Sequence, residues 1–508
     1  MSEPNDNATT TTVVASQLVD GKHLSHDEDV GLQLLARSER ISFTEEEARR
    51  VQWKTDVFIL PILCITISLQ YLDKVTLSYS AVYGMQKDLN LVGQQYSWAS
   101  SIYYFGYLVA EPLAAYLITK CHIGRFAAGN ILLWGIMVML CATAKTFAGL
   151  MALRFFMGLF EASIAPCWVS LMAMYYRKEE QGLRVTTWYG FVGVAAIIGG
   201  LLAYGIGHAK SGVKVWQLIF LVCGGTTVVW SFIVWYFLPA DPTSARFFNE
   251  RERLVAVERL RTNRTGVKSS RFKINHALEA LTDPQCIIIA LWSGISNITN
   301  IAGTFLPLII QDMGFSEFQT TLLTLPVGGV EIVAMIIAGF TSSYIKNGRT
   351  IIMFVVALPT LVGIALLDQL SLEHRWARVA SVWMVLCIPA SYAIMLSLIS
   401  SNVAGTSKRL ITTCASLVVF CVGNIVSPQL FRAEEAPHYR TATRVMLVAV
   451  SACQILTIML GAYYIWQNQR RDRLLEELPA NMSAETVENE EFMDRTDRED
   501  WVKFRYRW

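Results

Sequence analysis

Tyr116-Leu117-Ile118-Thr119-Lys120, with Gly124-Arg125 just beyond it, and Tyr344-Ile345-Lys346-Asn347-Gly348-Arg349 decide the architecture of this chain. Each closes a long apolar run with a basic turn, and each Gly-Arg opens another apolar run. Arg125 and Arg349 stand 224 positions apart. One turn used twice at so wide an interval reads as two duplicated halves. Outward from these turns, apolar runs of about 20 residues recur along the chain, the length that crosses a hydrocarbon core of about 30 Å. They predict spanning helices over 56–80, 98–118, 126–146, 150–175, 187–207 and 217–238, then over 286–311, 320–344, 350–367, 377–401, 410–431 and 444–466. The longest interior connection, 239–285, divides them six and six. Its charged stretch, Glu250-Arg251-Glu252-Arg253 with Glu258-Arg259 and Arg261, predicts an amphipathic helix on the membrane surface.

Composition agrees. The 508 residues are 53% hydrophobic and only 17% charged, where soluble domains run at about 25% charged. The formal net charge of +2 is too small to suggest a nucleic-acid partner. The ten cysteines fall mostly inside the apolar runs, with no CxxC pair and no His at metal spacing. They read as small buried hydrophobes, so no metal or cofactor is expected. Nucleotide-binding glycine loops and nucleophile–base pairs are also missing from the sequence, which argues against an enzyme.

Residues 1–55 read as a polar tail without a signal peptide, and 467–508 as a mixed-charge tail. Lys and Arg set the orientation. The even-numbered connections carry 18 of them and the odd-numbered ones nine, counting residues at the ends of spans with the connection beside them. The even connections and both tails are therefore expected in the cytosol.

Charge inside the spans is scarce. The residues held away from the span ends are Asp73, Lys74, Glu111, Arg154, Glu161 and Glu331. Each costs about 2.5–3.5 kcal/mol near the bilayer centre, so they are expected to face one another or a watered cavity. Arg154 and Glu161 lie two turns apart and share one face of helix four. Asp73 and Lys74 point about 100° apart, so one can face the cavity and the other a neighbouring helix. Bland alternatives stand beside these readings. Arg154 could snorkel to the outer headgroups. Glu111, before Pro112, reads as a gate contact or a substrate contact, and Glu331 as a site acid or a packing hydrogen bond. Asn297 and Asn300 share a face of helix seven and could touch a ligand or bond across helices. Asn297 also lies 224 positions after Asp73, as its second-half counterpart would. Gly193, Gly199 and Gly200 read as close helix packing, and Asn424 before Pro428 as relief for a kink.

The Gly-Arg turns resemble the signature between helices two and three of major facilitator transporters. The acid of that signature, four positions before its Arg, is Cys121 here, and its leading Gly is Leu117. Tyr71-Leu72-Asp73-Lys74, Arg154-Phe155-Phe156-Met157-Gly158-Leu159-Phe160-Glu161-Ala162 and Trp235-Tyr236-Phe237-Leu238-Pro239-Ala240-Asp241-Pro242 resemble the anion–cation symporter branch. Asn249-Glu250-Arg251-Glu252-Arg253, Val257-Glu258-Arg259-Leu260-Arg261 and Gly423-Asn424-Ile425-Val426-Ser427-Pro428-Gln429 resemble the fungal allantoate permease group. Members of that group take up small carboxylates such as allantoate, ureidosuccinate and nicotinate.

The resemblance implies an all-α major facilitator fold of twelve helices in two bundles. It puts helices one and four around a central cavity, with Asp73 and Glu161 as proton sites and Glu331 as a further candidate. Lys74 and Arg154 become charge partners or the anchor for a substrate anion. Lys74 departs from the Arg common among relatives and lacks its bidentate fork. Asn297 and Asn300 join the substrate-binding set. Glu111, Gly124, Arg125, Gly348 and Arg349 form the conformational gate. The expected activity is proton-coupled uptake of a small organic anion by a monomer in the plasma membrane. Export of a secondary metabolite and a non-transporting nutrient receptor are the alternatives.

Overall fold

The computed structural model describes residues 43–210, 212–261, 273–300, 304–345, 347–476, 496–499, 501–502 and 504–508. All regular elements among them are helical. The membrane helices are α1 (Leu60–Val82), α2 (Gln95–Lys120), α3 (Ile123–Cys141), α4 (Phe147–Glu161, continued by Ile164–Tyr175), α5 (Lys178–Gly207) and α6 (Val215–Phe237). The second half holds α7 (Pro284–Asn297, continued by Leu306–Asp312), α8 (Glu317–Leu323, continued by Leu325–Tyr344) and α9 (Arg349–Gln369). It ends with α10 (Arg375–Val385, continued by Ile388–Asn402), α11 (Thr406–Gln429) and α12 (Arg440–Glu476). Among the described residues, 10 spans are long and apolar enough to cross a membrane on those grounds alone. The remaining two are α2, diluted by Glu111, Lys120 and a run of Tyr and Ser, and α7, which is interrupted.

The halves repeat one another. In the first, α3 packs on α6, α2 on α4, and α1 on α5 and α6. In the second, α9 packs on α12, α8 on α10, and α7 on α11 and α12. The joins between halves repeat too, with α5 against α8 and α11 against α2.

Helices α4, α7, α8 and α10 are each built of two pieces. Pro307, Pro326 and Pro389 open the second pieces of α7, α8 and α10. Proline lacks an N–H and clashes with the preceding turn, so a helix restarts there at least cost. The sequence predicts α7 as one continuous span over 286–311. Instead its first piece stops at Asn297, and residues 301–303 lie outside the described set.

The described residues begin and end on one face of the bundle, the terminal face. Helix Glu45–Phe58 continues through Ile59 into α1. It carries Lys54 to Glu252 at 2.7 Å and Glu47 to Arg251 at 3.1 Å. The connection 239–285 holds two helices rather than one, Glu250–Arg261 and Ile274–Thr282; Ser269 and its neighbours 262–272 lie outside the described residues. The first is docked on the N-terminal half, with Arg259 buried and bonded to Glu180 at 2.5 Å. The second exposes Ile274, Leu278 and Leu281 while His276 and Ala280 are buried.

The C-terminal end is not a free tail among its described residues. Residues 496–499, 501–502 and 504–508 lie across the terminal ends of the second half. The Lys408 ammonium is wholly buried between Asp283 at 2.5 Å, Asp497 at 2.7 Å and Glu279 at 2.8 Å. It takes the centre of an acid cluster that would otherwise suit a cation. The Asn402 amide clamps the Arg507 backbone through both its atoms, at 2.7 and 2.9 Å. The Arg349 amide donates to the Trp508 carbonyl at 3.0 Å. Arg471 holds the Asp497 carbonyl at 2.8 Å and the Tyr506 hydroxyl at 3.0 Å. Burial, with the Asp497 carboxylate beside it, pushes the Tyr506 hydroxyl well above its ordinary range. This strap ties α7, α9, α10, α11 and α12 together.

Candidate functional site

Two close crossings position the site. In the first half, α2 meets α4 at Gly158, where a Cβ would collide with the Tyr103 carbonyl. That contact brings Tyr103 and Tyr104 against the face of α4 that carries Arg154 and Glu161. Between the halves, α5 meets α8 at Gly193 and Gly328, where a Cβ on Gly328 would strike the Gly193 carbonyl. Glu331, one turn along α8, is thereby held against the first half.

Asp73, Arg154 and Glu161 are 0%, 2% and 2% exposed, so packed protein surrounds them. The adjacent pair on α1 divides as its geometry predicts. Asp73 turns to α6, where the Thr227 hydroxyl donates to Oδ2 at 2.9 Å; its Oδ1 is buried without a partner. Lys74 turns to the interface between halves, with Nζ 5.4 Å from the Tyr104 ring centroid. Arg154 does not snorkel. Its Nε donates to the Ala99 carbonyl on α2 at 3.3 Å, and its guanidinium lies 5.6 Å from the Tyr103 ring centroid. Glu161 keeps a buried Oε2 without a partner. Among the described residues none of Asp73, Lys74, Arg154, Glu161 and Glu331 closes an ion pair, although Lys74 is within electrostatic reach of both Glu161 and Glu331. A buried charge of this kind is expensive unless a partner comes and goes.

Other expected residues fall elsewhere. Asn297 and Asn300 are joined through Asn424, which donates to Asn297 at 3.1 Å and accepts from Asn300 at 2.8 Å. This chain stitches α7 to α11 across the break in α7, so the helix-bonding alternative describes their amides in this structure, and Asn424 does more than relieve a kink. Glu111 is half-buried, with Oε2 unpartnered, on the terminal half of α2. Gly124 packs so closely that a Cβ would strike the Leu238 carbonyl at the end of α6, while Arg125 is exposed. In the second turn Gly348 precedes Arg349, whose Nη1 donates to the Ser401 hydroxyl at 3.0 Å. Gly199 and Gly200 pack on Leu72 and Leu325.

Several site elements escaped the sequence reading. Thr227 is a lone Thr in an apolar helix. Tyr104, Phe420 and Tyr392 are ordinary hydrophobes until the halves come together. Arg378, which the charge count assigned to a connection, is a further buried cation; it bonds the Leu370 and Leu367 carbonyls at 2.8 and 3.2 Å at the end of α9.

Among the described residues, five hydrogen bonds join the halves on the side away from the termini. Tyr79 Oη meets Thr324 Oγ1 at 3.1 Å, Tyr96 donates to the Thr304 carbonyl at 2.8 Å, and Ser100 meets Thr304 Oγ1 at 2.9 Å. Ser101 donates to the Ile425 carbonyl at 2.8 Å and accepts from Gln429 at 2.9 Å. Each is neutral and worth about 0.5–1.5 kcal/mol, so this closure holds and can still be undone.

Comparison with known proteins gives this geometry its family. The profile of the Major Facilitator Superfamily matches residues 63–428. An uncharacterized transporter of Schizosaccharomyces pombe is 43% identical over 480 residues, covering 94% of this chain and 91% of its own. Allantoate permease of Saccharomyces cerevisiae is 31% identical over 520 residues, covering 99% of this chain and 95% of its own. Among solved structures, a D-xylose–proton symporter superposes with a TM-score of 0.60 at 11% identity, over 80% of this chain and 97% of that one; it speaks for the fold alone. The chain is a transporter of the major facilitator superfamily and belongs to the fungal group that contains allantoate permease.

Proposed function

We propose that this transporter carries a small organic anion into the cell together with protons, by alternating access, with the terminal face in the cytosol of a plasma-membrane protein. The observation that carries the reading is the set of charges on α1 and α4: a half-buried Lys74 ammonium that closes no ion pair among the described residues, within electrostatic reach of a buried Glu161 carboxyl with an unpartnered oxygen. The excess of basic residues on the terminal-face connections supports the orientation. Lys74 anchors the substrate carboxylate. Glu161 and Asp73 take and release protons, and Glu331 contests Lys74 from the other half. Arg154 holds the field in which those acids titrate. Glu111 and the two Gly-Arg turns belong to the gate on the terminal face. One chain is the working unit.

The electrical arithmetic favours coupling. An anion entering an inside-negative cell costs roughly 2.3 kcal/mol per 100 mV. One proton cancels that cost for a monocarboxylate, and a second makes the membrane potential a driving force.

Glu161→Gln tests the reading. The variant keeps the shape and cannot lose a proton. In proteoliposomes it should still exchange internal for external substrate, while accumulation driven by an acid-outside gradient collapses. Accumulation that survives in this variant sinks the role of Glu161.

A further inference from the structure

We propose that helix Ile274–Thr282 lies in the headgroup layer on the terminal face, its apolar stripe against the lipid chains, and that this seat holds the C-terminal strap in place.

The helix turns two faces to different surroundings. Ile274, Leu278 and Leu281 are 67%, 57% and 60% exposed. At 3.6 residues per turn they fall within an arc of about 60°. Exposed Asn275 and Thr282 border that stripe on one side. Single exposed apolar residues need no explanation, but three side by side, edged by polar ones, mark a contact surface. The opposite face is the floor of the strap. Glu279 accepts from the Lys408 ammonium at 2.8 Å and from the Thr496 hydroxyl at 2.9 Å. His276 is buried, with Nε2 3.3 Å from the Glu499 carboxylate. The Lys273 amide donates to the Ser407 hydroxyl at 3.1 Å and fixes the helix to the start of α11, which keeps the stripe turned outward.

Depth decides what meets the stripe. The helix ends at Thr282, the chain turns a corner at the extended Asp283, and α7 begins at Pro284. The Tyr463 hydroxyl of α12 donates to Asp283 at 3.4 Å. One turn further along α12, exposed Trp466 has the Arg470 guanidinium 5.6 Å from its ring centroid. Tyr and Trp gather where a spanning helix meets the headgroups, and Arg reaches from there to water. The corner is therefore at headgroup level, and the helix leaves it there. Beyond the corner, exposed Ile287 and Leu291 carry apolar surface on into the span. The stripe thus continues a lipid-facing surface, and a helix with one such stripe over a polar face lies in the interface plane. A second copy or a soluble protein would have to reach it at a depth that lipid already fills. Because the stripe and the floor of the strap belong to one short helix, lipid on one side steadies the strap on the other.

Two measurements on the full chain test this. With p-benzoylphenylalanine in place of Leu278, illumination in the cell membrane should couple the side chain to a phospholipid, read after purification as the added mass of one lipid. Coupling to a second copy or to another protein, or no adduct at all, overturns the lipid seat. Hydrogen exchange in phospholipid nanodiscs then reads the strap. In the triple variant Ile274→Ser, Leu278→Ser, Leu281→Ser the amides of the strap should exchange about tenfold faster, the loss expected for roughly one fully buried leucine. Amides of α9 that keep their native rates show that the bundle is intact. Leu278→Ser alone should give a smaller change in the same direction. Strap amides that exchange at the native rate in both variants overturn the coupling between lipid and strap.

Discussion

Arg154, 2% exposed, has its charge removed from water and from the headgroups, so its partners decide what it does. One donor reaches the Ala99 carbonyl, and the guanidinium faces Tyr103. Its charge also acts on Asp73 and Glu161. Arg154→Ala removes a bond between α4 and α2 and strips the cation from two acids. A hydrogen bond to a charged group is worth about 1.5–3 kcal/mol, so transport should fall about 10–100-fold in a protein that still reaches the membrane. Arg154→Lys keeps the charge and should recover part of the rate. Uptake assays beside surface quantification decide it, and an unchanged rate in Arg154→Ala would make the side chain a packing element.

At the scale of helices, two contacts carry separate consequences. The α5–α8 crossing depends on Gly193 and Gly328 having no side chains. Gly328→Val would wedge the halves apart there, and overpacking costs about 1–3 kcal/mol. That is enough to shift the balance of conformations roughly tenfold. The variant should fold and transport more slowly, with cysteines near Thr324 and Tyr79 more open to labelling from the side away from the termini. The strap depends on Lys408. Lys408→Met would leave Glu279, Asp283 and Asp497 crowded with the more exposed Arg498 in place of a buried ammonium, and breaking such a buried set costs about 3–5 kcal/mol. Asp497→Asn still leaves Lys408 with Asp283 and Glu279, so its loss should be smaller. Thermal denaturation of the detergent-solubilised protein, followed by size exclusion, should rank Lys408→Met below Asp497→Asn and both below the native chain. The reverse order would mean that Lys408 is not what holds the acids.

For the whole molecule, the arrangement is closed by neutral hydrogen bonds on one side and braced on the terminal face by charged contacts within each half. Lys54–Glu252 and Arg259–Glu180 brace the first half, and Lys408 with its acids braces the second. Contacts within a half can be strong, because a rigid half must survive the cycle; contacts between halves must break in each turnover. The orientation we propose rests on the distribution of Lys and Arg. A cysteine placed at Ser269 should resist membrane-impermeant reagents on intact cells and react after permeabilisation. Ready labelling on intact cells would invert the molecule and turn the proposed uptake into export.

The spans were legible in the sequence because hydrocarbon imposes a length and an apolar composition on any helix that crosses it, whatever it packs against. The duplication was legible in two Gly-Arg turns, and the buried charges stood out because they are costly and few. What those charges touch was not legible. Asp73 and Lys74 are adjacent in sequence, yet one meets Thr227 of α6 and the other faces Tyr104 at the joint between halves. Asn297 and Asn300 read alike as ligand contacts or as bonds across helices, and no local signal showed that Asn424 of α11 bonds to both. Asp497 read as one charge in a polar tail, and it lies buried against Lys408. Such partners are far apart in the chain, and no local pattern records them. Only the folded packing of twelve helices brings them within hydrogen-bonding distance.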